Sequence, residues 1–283
     1  MKLMKSVKEF EEYLKNEHRS AGTIRAYSLA VCQYIRTFHT FTGSNLDKYK
    51  SWLIALYMPQ TVNQRICALN QYILFMQKSE DTDTRALFSS LKCLKQIKLQ
   101  QKFYLENVIS DSDFNYLKRC LLADDNKRWY FILRLMTATG ARVSELVQMK
   151  FEHLEAGAME ICSKAGKTRR ILIPRELCEK AMEYYRSEGI TSGFIILNHR
   201  GQVITPRGIG AMLKRFAAYY RMNERTMHPH AFRHLYAQNF LKKCPDISLL
   251  ADLLGHDSIE TTRVYLKKTG AEQKQLIDKF VTW

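Results

Sequence analysis

The chain has 283 residues, 46% of them hydrophobic, which is enough for real cores and suggests two domains by length. Lys and Arg number 44 against 28 Asp and Glu, and the formal charge of +16 favours a polyanionic partner, nucleic acid first. No apolar run approaches the ~18 residues of a membrane span. The charged, amphipathic start MKLMKSVKEFEEYLKNE has no signal core, and the seven scattered Cys contain no CxxC pair. A membrane protein and a secreted disulfide scaffold are thereby excluded, and a reducing cytoplasm is expected.

Residues 4–17 carry Val7, Phe10 and Leu14 on one stripe and predict a helix. Ser20 to Thr23 breaks and recaps the chain, and Thr23 to Phe38 brings Ile24, Tyr27, Ala30, Val31 and Tyr34 to one face. Asn45 or Asp47 can cap a third helix through Leu56. Pro59 introduces a fourth, with Val62, Ile66, Leu69, Tyr72, Ile73 and Phe75 at helical spacing. Helices of this length make a compact bundle. Tyr27, Tyr34, Tyr72 and Phe75 fall on apolar stripes, so core packing is expected rather than base stacking. Lys92, Lys95, Lys98 and Lys102 follow with little acid nearby, as a solvated helix face or as a linker laid along a phosphate backbone. The boundary falls near residue 105, dividing a helical 1–105 with its basic linker from 106–283.

Ser110-Asp-Ser-Asp113 starts the second part with a helix signal, and Phe131 to Met136 reads as a buried helix running into Thr137-Ala-Thr-Gly140. Arg142 follows, three residues before Glu145, close enough for an (i, i+3) ion pair. Met159–Ser163 and Thr168–Ile173 predict two strands around a turn that holds Lys164 and Lys167, and Gly193–Leu197 is a third candidate strand. From Pro206 a helix carries Ile209, Met212, Leu213 and Phe216 on one side. No phosphate-binding glycine loop, HExxH or GxSxG is present, and His228 with His230 lacks the companions of a zinc site, so neither metal nor cofactor is called for.

The stretch from His228 to Lys268 carries the chemistry. His230 and Arg233 lie three apart and share a helix face. Gly255 stands where a helix ends, and Asp257 or Ser258 can cap a new helix that carries Tyr265 two turns along. Arginine, histidine and a late tyrosine are the parts needed to attack a phosphodiester with a phenol. A phenol titrates near ~10 and needs help at neutral pH. Two guanidiniums fit the crowded oxygens of a pentacoordinate phosphorane.

Arg142 in TGARVSEL, Lys164 in SKAGKTRR, His230-x-x-Arg233-His234, His256 in LLGHDSIETT and Tyr265 occur in one order. This constellation resembles the tyrosine recombinase, or phage integrase, family and its compact Xer-like members. The resemblance implies a mainly α chain with a small antiparallel β-sheet. A helical N-terminal core-binding domain would precede a mixed α/β catalytic domain, the two gripping duplex DNA. Tyr265 would form a 3′-phosphotyrosyl bond, Arg142 and Arg233 would clamp the phosphate, Lys164 would be the acid for the 5′-oxygen, and His230 and His256 would assist. The turn reads KAGK where the family has GKGxK, which leaves Lys167 as a rival acid and possible DNA contact.

The expected function is site-specific DNA recombination: integration, excision, inversion or dimer resolution. Its rivals are a type IB topoisomerase-like nicking-closing enzyme and a catalytically silent DNA-binding regulator. The helical domain is expected to begin almost at Met1, without an arm-binding domain, which points to short inverted recognition sites. The resemblance further implies a homo-tetramer on double-stranded DNA, a monomer or weak oligomer when free, and nucleoid association through DNA. The tail brings Leu276, Ile277, Phe280 and Val281 to one stripe with Trp283 at its end, and in the family such a helix docks on a neighbouring protomer.

Overall fold

The computed structural model describes residues 2–98, 107–162, 168–256, 258–266 and 270–281. Lys102, Lys164, Lys167, Asp257 and Trp283, and the side chain of Leu276, lie outside the described residues. The chain divides into two compact units, Met1–Gln101 and Lys102–Trp283.

The first unit is helical: α1 (Lys2–Asn16), α2 (Ala21–Phe38), α3 (Gly43–Leu56), α4 (Pro59–Met76) and α5 (Thr82–Ser89). Val7, Phe10 and Leu14 of α1 are buried, and α1 and α4 both pack on α2. Ser20 caps α2 by accepting from the Thr23 amide at 3.1 Å. Thr42, rather than Asn45 or Asp47, caps α3: its hydroxyl accepts from the Asn45 amide at 3.2 Å, while the Asn45 side chain turns back to the Thr40 carbonyl. Tyr34 and Tyr72 are fully buried, and Tyr27 and Phe75 pack on the edge of the same core. Their bulk serves packing, with Phe10 edge-on to Tyr72 at 5.3 Å. The short α5 lacks a long apolar stripe and is anchored by Phe88.

After α5 the chain is extended, not helical, and lies along α4. The side-chain amide of Asn70 donates to the Leu94 carbonyl and accepts from the Leu94 N–H, at 2.9 and 2.8 Å. Asn63 makes the same pair with Ile97, both at 2.9 Å, and Gln77 donates to the carbonyls of Phe88 and Leu91. Seven residues of helix rise about 10.5 Å, and three residues of extended chain span about 9–10 Å, so the two ladders keep step. Leu91 and Leu94 are buried while Lys92, Lys95 and Lys98 are exposed. The helix-face reading of these lysines is therefore corrected: they form one outward row on a braced linker.

The second unit contains α6 (Asp111–Ala123), α7 (Lys127–Thr139), α8 (Val143–Leu146), α9 (Phe151–Glu155), β1 (Ala158–Cys162), β2 (Thr168–Leu172), α10 (Arg175–Ser187), α11 (Pro206–Tyr219), α12 (Pro229–Lys243), α13 (Ile247–Leu254), α14 (Ile259–Arg263) and α15 (Gly270–Phe280). Ile132, Leu133, Leu135 and Met136 of α7 are fully buried, and α6, α10 and α12 pack around that helix. The sheet is one antiparallel pair, β1 with β2, running from Ala158 opposite Leu172 to Cys162 opposite Thr168. Gly193–Leu197 is not a strand. It makes only isolated bridges, Phe194 to Lys150 and Leu197 to Val203, because its hydrogen bonds go to loops rather than to the hairpin. Among the described residues no helix is long and apolar enough to cross a membrane.

Candidate active site

Two left-handed glycines shape the site. Gly140 ends α7 with φ +60°, and a Cβ there would collide with the Tyr236 ring. Two residues later Arg142 stands at the N-terminus of α8. Its backbone N–H donates to Glu145 Oε2 at 2.7 Å, and its Nη1 pairs with Oε1 at 3.1 Å. Gly255 ends α13 with φ +61°, and its Cα lies on the Arg169 side chain with no room for a Cβ.

The end of α13 presents successive carbonyls to three different arginines. Arg169 Nη1 donates to Leu253 O at 2.8 Å, Arg233 Nη2 to Leu254 O at 2.8 Å, and Arg142 Nη2 to Gly255 O at 3.1 Å. Carbonyls at a helix C-terminus lack helical partners and carry the negative end of the dipole, so they attract cations. Arg233 also donates through Nη1 to Gly140 O at 2.5 Å, and the residue is only 3% exposed. Burial pushes its guanidinium below the ordinary value, against the opposing influence of the nearby Tyr265 oxygen.

His256 follows directly. Its Nε2 lies 3.0 Å from Arg233 Nη2, and its Nδ1 2.7 Å from Thr262 Oγ1. A guanidinium only donates, so Nε2 accepts and the ring proton sits on Nδ1, given to the threonine. Burial first, then the charges of Arg233, Arg142 and Arg169, push the imidazole down to about 4. It is neutral at neutral pH. Ser258 caps α14. That helix ends at Arg263, so Tyr265 sits on a short 3-10 turn, Val264–Leu266, and not two turns into an α-helix as expected. There Tyr265 is 9% exposed, stacked on His256 with centroids 6.0 Å apart and edge-on to His234 at 4.9 Å.

His230 lies on α12 one turn before Arg233 and is exposed. His234 is buried enough to be pushed down to about 4, and its Nδ1 has no hydrogen-bond partner among the described residues. Among those residues no cluster of His, Cys, Asp or Glu could hold a metal ion.

A family model described as the phage integrase family matches residues 114–272. The chain belongs to the phage integrase family. Over 280 residues, 96% of this chain and 93% of the relative, it is 26% identical to tyrosine recombinase XerA of Pyrococcus furiosus. Over 295 residues, 98% of this chain and 99% of the relative, it is 26% identical to the TnP I resolvase of Bacillus thuringiensis. The crystal structure of XerH site-specific recombinase bound to palindromic difH substrate, a post-cleavage complex, superposes with a TM-score of 0.75 at 16% identity, covering 99% of this chain and 84% of that one. The fold is that of the tyrosine recombinases: mainly α with a two-stranded antiparallel sheet.

Within this integrase fold, Arg142, Arg233, His256 and Tyr265 come together around the end of α13. His230 flanks them, Lys164 and Lys167 fall outside the described residues, and Lys92, Lys95 and Lys98 belong to the first unit. Arg169 escapes the sequence reading. It shares its strand face with the buried Ile171 and Ile173, and an arginine in that alternation signals a buried anion partner. Glu145 is that partner.

Proposed function

We propose that this member of the phage integrase family carries out site-specific DNA recombination with Tyr265 as nucleophile. One observation carries the reading: a single chain brings a phenol, two guanidiniums and a neutral imidazole to the same helix end. The Tyr265 oxygen would attack the scissile phosphorus, and the bond to the 5′-oxygen would break. Arg142 and Arg233 would hold the non-bridging oxygens, Lys164 would protonate the leaving 5′-oxygen, and His230 would assist removal of the phenolic proton. His256, whose bare Nε2 accepts from Arg233, would orient that guanidinium on the phosphate. The product is a 3′-phosphotyrosyl ester with a free 5′-hydroxyl. The ester conserves the bond energy, so attack by a 5′-hydroxyl reverses the step and joins strands. Losing either arginine removes roughly 2.7–4 kcal/mol of barrier lowering, by analogy with oxyanion donors.

Strand exchange requires two duplexes cut in turn, hence a homo-tetramer on double-stranded DNA with short inverted sites, assembled from monomers or weak oligomers. The exposed Ile277 and Phe280 of α15, and Val281 just past it, support a tail that docks on a neighbouring protomer, since they do not cover a local core. The same feature favours recombination over a nicking-closing enzyme, which has no need of a synaptic tetramer. The first unit, with its row of Lys92, Lys95 and Lys98, would serve as the core-binding domain, and DNA would draw the protein to the nucleoid in the cytoplasm. The test is a nicked duplex carrying an inverted-repeat site, sought first in the DNA flanking the gene. The parent protein is expected to form a covalent adduct and joint molecules, and Tyr265→Phe to bind without an adduct. An adduct that survives Tyr265→Phe on a denaturing gel removes Tyr265 from the role.

A further inference from the structure

We infer that Arg169 is a positioning residue of the cleavage site, holding one oxygen of Glu145 so that Arg142 keeps a guanidinium face for phosphate. This rests on the reading of Arg142 as a phosphate clamp. Glu145 is 7% exposed and has two carboxylate oxygens. Oε1 pairs with Arg142 Nη1, while Oε2 takes the Arg142 backbone N–H and Arg169 Nη2. The two guanidiniums differ in exposure: the Arg169 side chain is 14% exposed and that of Arg142 is 41%. The buried arginine thus occupies the carboxylate, and the half-exposed one stays open.

Arg169 is itself held on both sides. Its Nη1 reaches Leu253 O, and its stem lies beneath Gly255, whose carbonyl receives Arg142. Strand β2, helix α8 and the end of α13 are therefore joined through this one side chain. Charge balance makes the role testable. Arg142, Arg169 and Arg233 against Glu145 leave two net positive charges around a neutral His256. Removing Arg169 leaves one, and frees Glu145 to neutralise Arg142 with both oxygens. Removing the Glu145 charge as well restores two. Arg170, one residue on, is exposed and paired with Glu160, which makes it a control of the same type on the same strand.

The experiment measures the rate of covalent adduct formation on a nicked duplex that the parent cleaves, at saturating protein, with a melting curve for each variant. Arg169→Met is expected to react about ten- to thirtyfold more slowly, the effect of one charge at partly screened short range. Arg170→Met is expected to match the parent. The double variant Arg169→Met with Glu145→Gln is expected to recover most of the rate although it lacks two members of the network. A merely structural brace would lose further rate on the second substitution. Arg169→Gln, which keeps a donor toward Leu253 without the charge, replaces methionine if that variant does not melt cooperatively, with the same slow rate and the same rescue expected. A parental rate for Arg169→Met and Arg169→Gln, or a double variant no faster than the single one, overturns the role of Arg169 while an inactive Arg142→Ala leaves the clamp standing. A parental rate for Arg142→Ala overturns the clamp and the role of Arg169 with it.

Discussion

His256 can accept from Arg233 only while its Nε2 is bare, and burial, reinforced by three nearby guanidiniums, keeps it so. His234, against the Tyr265 ring, is held neutral chiefly by burial, and both imidazoles are pushed down to about 4. An unfolded histidine titrates near ~6.5. Between those values the unfolded chain takes up protons that the native chain refuses. The stability contributed by these rings is therefore complete above about pH 6.5 and is lost as pH falls toward 4. Melting temperatures measured across that window should decline with acidification, and His234→Phe should flatten the decline. An unchanged slope would contradict the burial argument. Lys164 supplies a second expectation at this scale. Lys164→Ala should slow cleavage of ordinary DNA and recover on a substrate with a 5′-bridging sulfur, because a thiolate leaves without a proton. Recovery by Lys167→Ala instead would assign the acid to Lys167.

Helix α13 is only eight residues long, yet its last turn organises the site. Its last two carbonyls and that of its capping Gly255 take three arginines, from β2, the N-cap of α8 and α12, and Gly255 makes the turn possible by adopting a left-handed conformation on top of Arg169. Helix α4 does comparable work in the first unit. Asn63 and Asn70 grip the backbone of Ile97 and Leu94, so Lys92, Lys95 and Lys98 face outward together. Phosphate contacts release counterions, and each one removed should reduce the salt slope of DNA binding by roughly 0.9. Replacing the three lysines by Gln should flatten that slope by about two to three units. Asn63→Ala with Asn70→Ala should instead weaken binding several-fold at constant slope, since the charges remain and only their ordering is lost. A flattened slope in the asparagine variant, or an unaltered one in the lysine variant, would separate the linker from DNA.

For the whole molecule the decisive element is the tail. Ile277 and Phe280 of α15 are 55% and 61% exposed and Val281, just past the helix, 43%, an apolar surface that suits the proposed docking on a neighbouring protomer. Deleting residues 272–283 should leave the melting temperature nearly unchanged and single-site binding intact. Cooperative occupancy of a two-arm site and strand exchange should be lost. Circular dichroism melting and gel-shift stoichiometry check this: a collapsed melting temperature would mean local packing, and retained cooperativity would rule out docking between protomers.

Much of this protein is local and was therefore readable from the chain alone. The stripes of α1, α2, α4 and α11, the helix starts near Ser20 and Ser110, and the β1–β2 hairpin follow from periodicity and short-range hydrogen bonding, while the start of α14 was open between Asp257 and Ser258. Arginine, histidine and a late tyrosine between His228 and Lys268 pointed to phosphodiester chemistry by their types, while Arg142 took its role only from the family resemblance. What depended on contacts distant in sequence did not show. Gly193–Leu197 has strand-like composition but no partner strand to complete a ladder. The lysine linker has helical spacing, but α4 pulls it straight through side-chain amides 24 and 34 residues away. Arg169 looks like one more basic residue in SKAGKTRR until folding sets it between Glu145 and Leu253, 24 and 84 residues away. The chain determined which groups were available. Tertiary structure decided which carbonyl or carboxylate each would meet, because a buried charge is stable only where the fold brings it a partner.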